Sequence, residues 1–130
     1  MAVVRHRGLD ELIDDFDELP DRVDDVASKR VERGAANIKK AWKARWTGHP
    51  HIPYLPDAVS YDVHETTSGF SAEVGPDKHK RQGPLGNIIE FGTLNNAPIP
   101  GGAPALDEEE PRFVNTMRDL AETALDRRVG

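Results

Sequence analysis

The chain has no cysteine, so disulfide staples and thiolate metal sites are excluded. Aromatic residues make up only 6% of it. No run approaches the roughly 18 apolar residues expected of a membrane-spanning helix. Arg5, His6 and Arg7 follow the initial Met1, but no apolar stretch comes after them, so no secretory leader is expected and a soluble protein made in a cytoplasm is. Chemical signatures are also missing. There is no nucleophile elbow, phosphate-cradling loop or HExxH pair. Gly83-Pro84-Leu85-Gly86 lacks the strand–loop–helix context of a dinucleotide fingerprint. His49, His51, His64 and His79 are scattered without the convergent spacing that zinc requires. The acids of the N-terminal half sit at surface spacing, with no sign of two carboxylates in different environments. Neither an enzyme nor a cofactor is therefore expected.

The 130 residues suit one domain, with a flexible terminus over 1–8 and exposed loops over 76–84 and 92–104. Apolar content is 37% and charged content 31%, a wet composition that points to burial shared with neighbouring subunits. The net charge of −6 argues against bulk affinity for nucleic acid, which rises with the number of phosphates neutralised. The charges are sorted along the chain. From Asp10 to Asp25 nearly all are acidic, and from Lys29 to Arg45 nearly all are basic. That order suits a helix macrodipole; it equally suits opposed blocks meeting on adjacent subunits.

Apolar periodicity sets the elements. Leu9, Leu12, Ile13, Phe16 and Leu19 fall on one helical face, and Pro20 kinks or breaks the helix after them. A longer helix follows from about Asp21 to Trp46, with the stripe Val23, Val26, Ala27, Val31, Ala35, Ile38, Ala41, Trp42 and Trp46. Thr47-Gly48 ends it, Gly48 in a left-handed conformation. Pro50, Pro53 and Pro56 then favour an extended connector. Val59, Tyr61 and Val63 alternate with polar residues, as do Phe70, Ala72 and Val74 beyond Gly69, which predicts a β-hairpin. A lone hairpin is marginal, so a further strand is expected from this chain or a neighbour. Leu85–Phe91 reads as a short apolar element, either helix or strand. A closing helix spans Ala105 to Arg128, clearest from Glu110, with Pro111 in its first turn and Phe113, Met117, Leu120, Ala121, Ala124 and Leu125 as its stripe. The fold class is α+β: the long N-terminal helix and the C-terminal helix packed on a small antiparallel sheet that contains the hairpin.

Two features carry charge of interest. Lys78-His79-Lys80-Arg81 is a basic cluster on a loop, so Lys78, Lys80 and Arg81 are candidates for contact with phosphate or a partner, against the plainer reading of a solvated loop. Glu90 lies among Ile88, Ile89 and Phe91. A carboxylate half-buried there needs an arginine or backbone N–H donors, the latter expected from Thr93 to Asn96.

Glu90-Phe91-Gly92-Thr93, then Ala97-Pro98, then Pro104-Ala105-Leu106, after Thr47-Gly48 upstream, resembles the ordered signature of the gene-product-ten-like tail-component family of long-tailed double-stranded DNA phages. The likeness runs from about Leu9 to Leu125. The chain departs from the family pattern at Leu85-Gly86, where a Tyr-Ala pair is usual, and at Pro100-Gly101-Gly102. The resemblance implies a structural virion protein of the neck or head-proximal tail, present in the host cytoplasm during assembly. It would act as a ring-forming head–tail connector or tail-completion component, or else as a tail terminator. Its partners would be copies of itself and other neck and tail proteins, with genomic DNA passing nearby and no membrane. Glu90, Phe91, Gly92, Thr93, Pro98, Pro104 and Leu106 would then form a structural corner at a subunit contact. A small acidic regulatory or nucleic-acid-associated module is the alternative of another class.

Overall fold

The computed structural model describes residues 2–4, 21–67 and 69–129. Helix α1 (Asp21–Trp46) is the central element. On one side it carries a three-stranded antiparallel sheet, and on the other the C-terminal helix α4 (Gly102–Val129). The expected α+β class is the one observed. The expected helix along Leu9–Leu19 and the kink or break at Pro20 lie outside the described residues.

The 26 residues of α1 span about 39 Å at 1.5 Å per residue. Its stripe reads as the periodicity predicts: Ala27, Val31, Ala35, Ile38, Trp42 and Trp46 are all buried. Lys43 and Arg45 occupy its last turn, where cations complement the carbonyl end of the helix. The helix stops at Thr47-Gly48, with Gly48 at φ 91°.

The connector after Gly48 does not run extended. It folds through two tight turns, closed by Ile52 N–H to the His49 carbonyl and Leu55 N–H to the Ile52 carbonyl, each 3.2 Å. It then forms the short helix α2 (Leu55–Ala58). Pro56 is tolerated because the first helical turn needs no N–H from it, and Ile52 and Leu55 are drawn into the core.

The hairpin consists of β2 (Val59–Thr66) and β3 (Gly69–Pro76), paired from Val59↔Pro76 to Thr66↔Gly69. Opposed residues share a face. Tyr61 with Val74 and Val63 with Ala72 therefore look toward α1, while Asp62 with Glu73 and His64 with Ser71 look away. The further strand comes from the same chain. Ala2–Val4, expected to belong to a flexible terminus over 1–8, instead forms β1 and pairs with β3 from Ala2↔Val74 to Val4↔Ala72. Three residues are too short a run to show a period of two.

Leu85–Phe91 resolves into helix. A 3₁₀ turn (Gly83–Leu85) leads into α3 (Gly86–Phe91). The closing helix begins earlier than Glu110. It starts at Gly102, so Pro104 occupies its first turn and Pro111 lies inside it. The exposed loop expected over 92–104 is correspondingly shorter, and Gly101 and Gly102 are buried. The loop expected over 76–84 is likewise trimmed, since Pro76 belongs to β3 and Gly83 is buried. Phe113, Met117 and Ala124 of the α4 stripe are buried, whereas Leu125 is exposed. Helices α1 and α4 run antiparallel: Trp42 meets Gly102, Asn37 meets Glu109, and Gly34 lies under the ring of Phe113.

Candidate functional site

The segment from Leu85 to Leu106 forms a corner between α3 and α4, against the C-terminal end of α1. Its framework starts from two tryptophans. Trp42 and Trp46 pack edge to face, with ring centroids 5.5 Å apart, the arrangement that aromatic quadrupoles favour. Trp46 Nε1 donates to the Ile99 carbonyl at 2.8 Å. Trp42 lies flat against the backbone of Gly101-Gly102. A Cβ on Gly101 would stand 2.5 Å from Trp42 Cδ1, and one on Gly102 2.7 Å from Trp42 Cη2. The two glycines that look like chain breakers are where the helix begins, because no larger residue leaves room for the indole.

Glu90 closes the corner. Half-buried at the end of α3, its carboxylate accepts the N–H of Gly101 and the N–H of Gly102, both at 2.9 Å. These are orphan donors at the start of α4, the groups that caps satisfy, and a carboxylate there also meets the positive end of the helix dipole. The expectation that Glu90 takes backbone donors holds in kind, but the donors are not those of Thr93 to Asn96. Those groups are engaged with one another: Thr93 N–H donates to the Asn96 carbonyl at 2.9 Å, and Asn96 N–H returns to the Thr93 carbonyl at 3.3 Å.

Gly92 turns the chain back so that Glu90 can reach α4. Its φ of 74° suits glycine, and a Cβ would stand 2.8 Å from the Asn96 carbonyl oxygen and from Pro98 N. Ile99 N–H then donates to the Ile89 carbonyl at 2.8 Å, stitching the returning strand of the loop to α3. Glu90, Gly92 and Pro98 are thus brought together as one unit, with Thr93 in the turn. Pro104 and Leu106 are carried away on α4, and Leu106 packs against the protein's own core. It supports the corner from inside the protomer.

This framework displays apolar side chains outward. Leu85, Ile88, Phe91 and Leu94 recur at three-residue steps, with fractional exposures of 39%, 48%, 76% and 106%. Ile89, on the other side of α3, packs against the core. Leu85, Ile88 and Phe91 thus form a row along the outer side of the 3₁₀ turn and α3, and Leu94 lies exposed in the loop beyond Gly92.

The basic cluster sits just before this row. Lys78, Lys80 and Arg81 are exposed. The Arg81 guanidinium stacks 3.5 Å from the ring centroid of Tyr54, a cation–π contact that commits it to the connector. Gln82, at φ 62°, accepts the Tyr54 N–H at 2.7 Å through Oε1 and donates to the His51 carbonyl at 3.3 Å. Nearby, Lys43 Nζ lies 2.8 Å from Asp57 Oδ1. That hydrogen bond and charge hold the Asp57 carboxyl below its ordinary range.

Sequence reasoning missed the tryptophan–glycine contact and the true partner of Glu90. A Gly-Gly pair 11 residues beyond a lone glutamate carries no local signal of either. Among the described residues, no three His, Asp or Glu side chains are grouped so as to hold a metal ion, and no helix is long and apolar enough to cross a membrane. Compared with protein-family models, curated proteins and solved structures, the chain matches none.

Proposed function

We propose that the chain is a non-enzymatic structural component of a long-tailed phage, acting in the neck or head-proximal tail as a homo-oligomeric ring that helps join head to tail. The phage context rests on the ordered resemblance through Thr47-Gly48, Glu90-Phe91-Gly92-Thr93, Pro98 and Pro104-Ala105-Leu106. The assembly role rests on one structural observation: the outward apolar row Leu85, Ile88 and Phe91, with Leu94 exposed in the loop beyond it, on a corner stiffened by Glu90. Contiguous apolar surface held rigidly at the outside of a small domain is characteristic of an interaction site. Rigidity also lowers the conformational entropy lost on association.

A second copy is the occupant that a ring requires. In a ring each subunit presents this row to a different surface of its neighbour, a heterologous contact that closes by rotation. Strand β2 lies at the sheet edge and offers such a neighbour a place to add backbone hydrogen bonds.

Probing purified particles with an antibody against this chain, alongside electron microscopy of the concentrated protein mixed with tail tubes, tests the reading. Detection in particles and ring-shaped assemblies are expected. A strictly monomeric protein absent from particles would overturn it.

A further inference from the structure

The groove between α1 and α4, away from the corner, holds a separate set of charged groups. Arg30 and Arg33 of α1 and Arg112 of α4 line an open cleft of about 300 Å³, with Asn37 and Thr116 beside them and Phe113 at its floor. The sequence disperses these residues, and the antiparallel helix register collects them. Arg30, Arg33 and Asn37 fall on one face of α1 at steps of three and four, as Arg112 and Thr116 do on α4. The register is fixed where Asn37 Nδ2 donates to Glu109 Oε1 at 3.0 Å.

Among the described residues, Glu109 is the one acidic side chain in this lining, and its charge is already used. It is buried, with Oε1 taken by Asn37 and Oε2 3.1 Å from Arg112 Nη1. Arg30 and Arg33 are exposed and ion-pair with none of the described residues. Among the described lining residues, three guanidinium charges against one carboxylate leave the cleft two positive charges in surplus, on a chain whose net charge is −6. That surplus is local and is concentrated by the walls of two helices.

We propose that this cleft binds a phosphate-class dianion, either inorganic phosphate or the phosphoryl group of a small monoester. A phosphate monoester carries about −1.5 to −2 charges near neutrality, which matches the surplus, whereas a lone carboxylate or a single phosphodiester supplies about half of it. Guanidinium forks recognise tetrahedral oxyanions in bidentate fashion. The Thr116 hydroxyl and the free capacity of the Asn37 amide supply neutral hydrogen bonds at the same opening. The volume lies at the lower end of ligand pockets, about 300–1,000 Å³, and suits a small ligand. This binding is independent of ring assembly.

The test is an NMR titration of the intact chain at fixed ionic strength with inorganic phosphate, a nucleoside monophosphate and a short DNA duplex. Saturable binding of the first two is expected, with shifts confined to α1 and α4 around Arg33 and Arg112. Arg30→Gln and Arg33→Gln should each weaken it about tenfold or more. Arg45→Gln, exposed at the far end of α1, should leave it unchanged. Affinity should fall as the pH drops through the second phosphate pKa, about 6. Tighter binding of the monophosphate would assign an organic ligand, and equal binding the free ion; both support the proposal. Failure of both small ligands to bind saturably, binding unaffected in the Arg30→Gln/Arg33→Gln double variant, or binding of the duplex alone would overturn it.

Discussion

Glu90 holds the N–H of Gly102 at 2.9 Å across 12 residues of chain, and so the last residue but one of α3 caps the first residue of α4. The same carboxylate holds Gly101, so removing it strips two charge-assisted hydrogen bonds from the start of the 28-residue helix α4. Bonds of this kind contribute roughly 1.5–3 kcal/mol, and caps typically about 1. Glu90→Ala should therefore lower the unfolding free energy by about 2–3 kcal/mol in urea denaturation, by the sum of cap and charge effects in partly screened surroundings. Glu90→Gln, which keeps one acceptor oxygen, should lose less. Equal stability of all three proteins would show that α4 starts without the cap.

The Trp42 contact makes a steric prediction at Gly101 and Gly102. Alanine at either position places a methyl group against a buried indole, and overpacking of this kind costs typically about 1–3 kcal/mol. Gly101→Ala and Gly102→Ala should each destabilise the fold on that scale and shift tryptophan fluorescence. Trp42→Leu should relieve part of the penalty in the double variant, measured as a coupling in a double-mutant cycle. Additive losses would mean that the two groups do not meet.

Asp57 gives the protein a modest acid sensitivity. Its carboxyl is depressed mainly by the hydrogen bond from Lys43 and then by that residue's charge, against a small opposing effect of burial. A carboxyl held lower in the folded than in the unfolded state favours folding above its unfolded pKa, and that contribution is lost as pH falls through the folded value. NMR titration should show the Asp57 carboxyl moving up toward its ordinary range in Lys43→Met. The accompanying loss of stability at neutral pH should be slight, because the pair is solvent-exposed. An unmoved Asp57 would contradict the assigned cause.

How much of this was legible in the sequence depended on how far each contact reaches. The α1 stripe from Ala27 to Trp46 and the alternation of Val59, Tyr61 and Val63 are local periodicities, and both emerge in the structure as read. Glu90 was identifiable as a half-buried carboxylate in need of donors. Its donors were not identifiable, since backbone N–H groups at Gly101 and Gly102 look like any others in a string of residues. The start of α4 was obscured for a related reason. Two glycines normally argue against a helix, and here they are required by Trp42, more than 50 residues earlier. Arg30 and Arg33 read as members of a solvated basic block until the α1–α4 register placed Arg112 opposite them.

The central claim is that the row displayed by the α3 corner is a contact between copies. Native mass spectrometry, run on the wild-type chain and on Phe91→Asp across a concentration series, tests it most directly. The substitution changes a side chain that is 76% exposed, so the fold should be retained, as an unaltered thermal midpoint for the monomer would verify. The account predicts a closed oligomer for the wild type at high concentration and a monomer for Phe91→Asp under the same conditions. A wild-type protein that stays monomeric throughout, or a variant that assembles as well as the wild type, would contradict it.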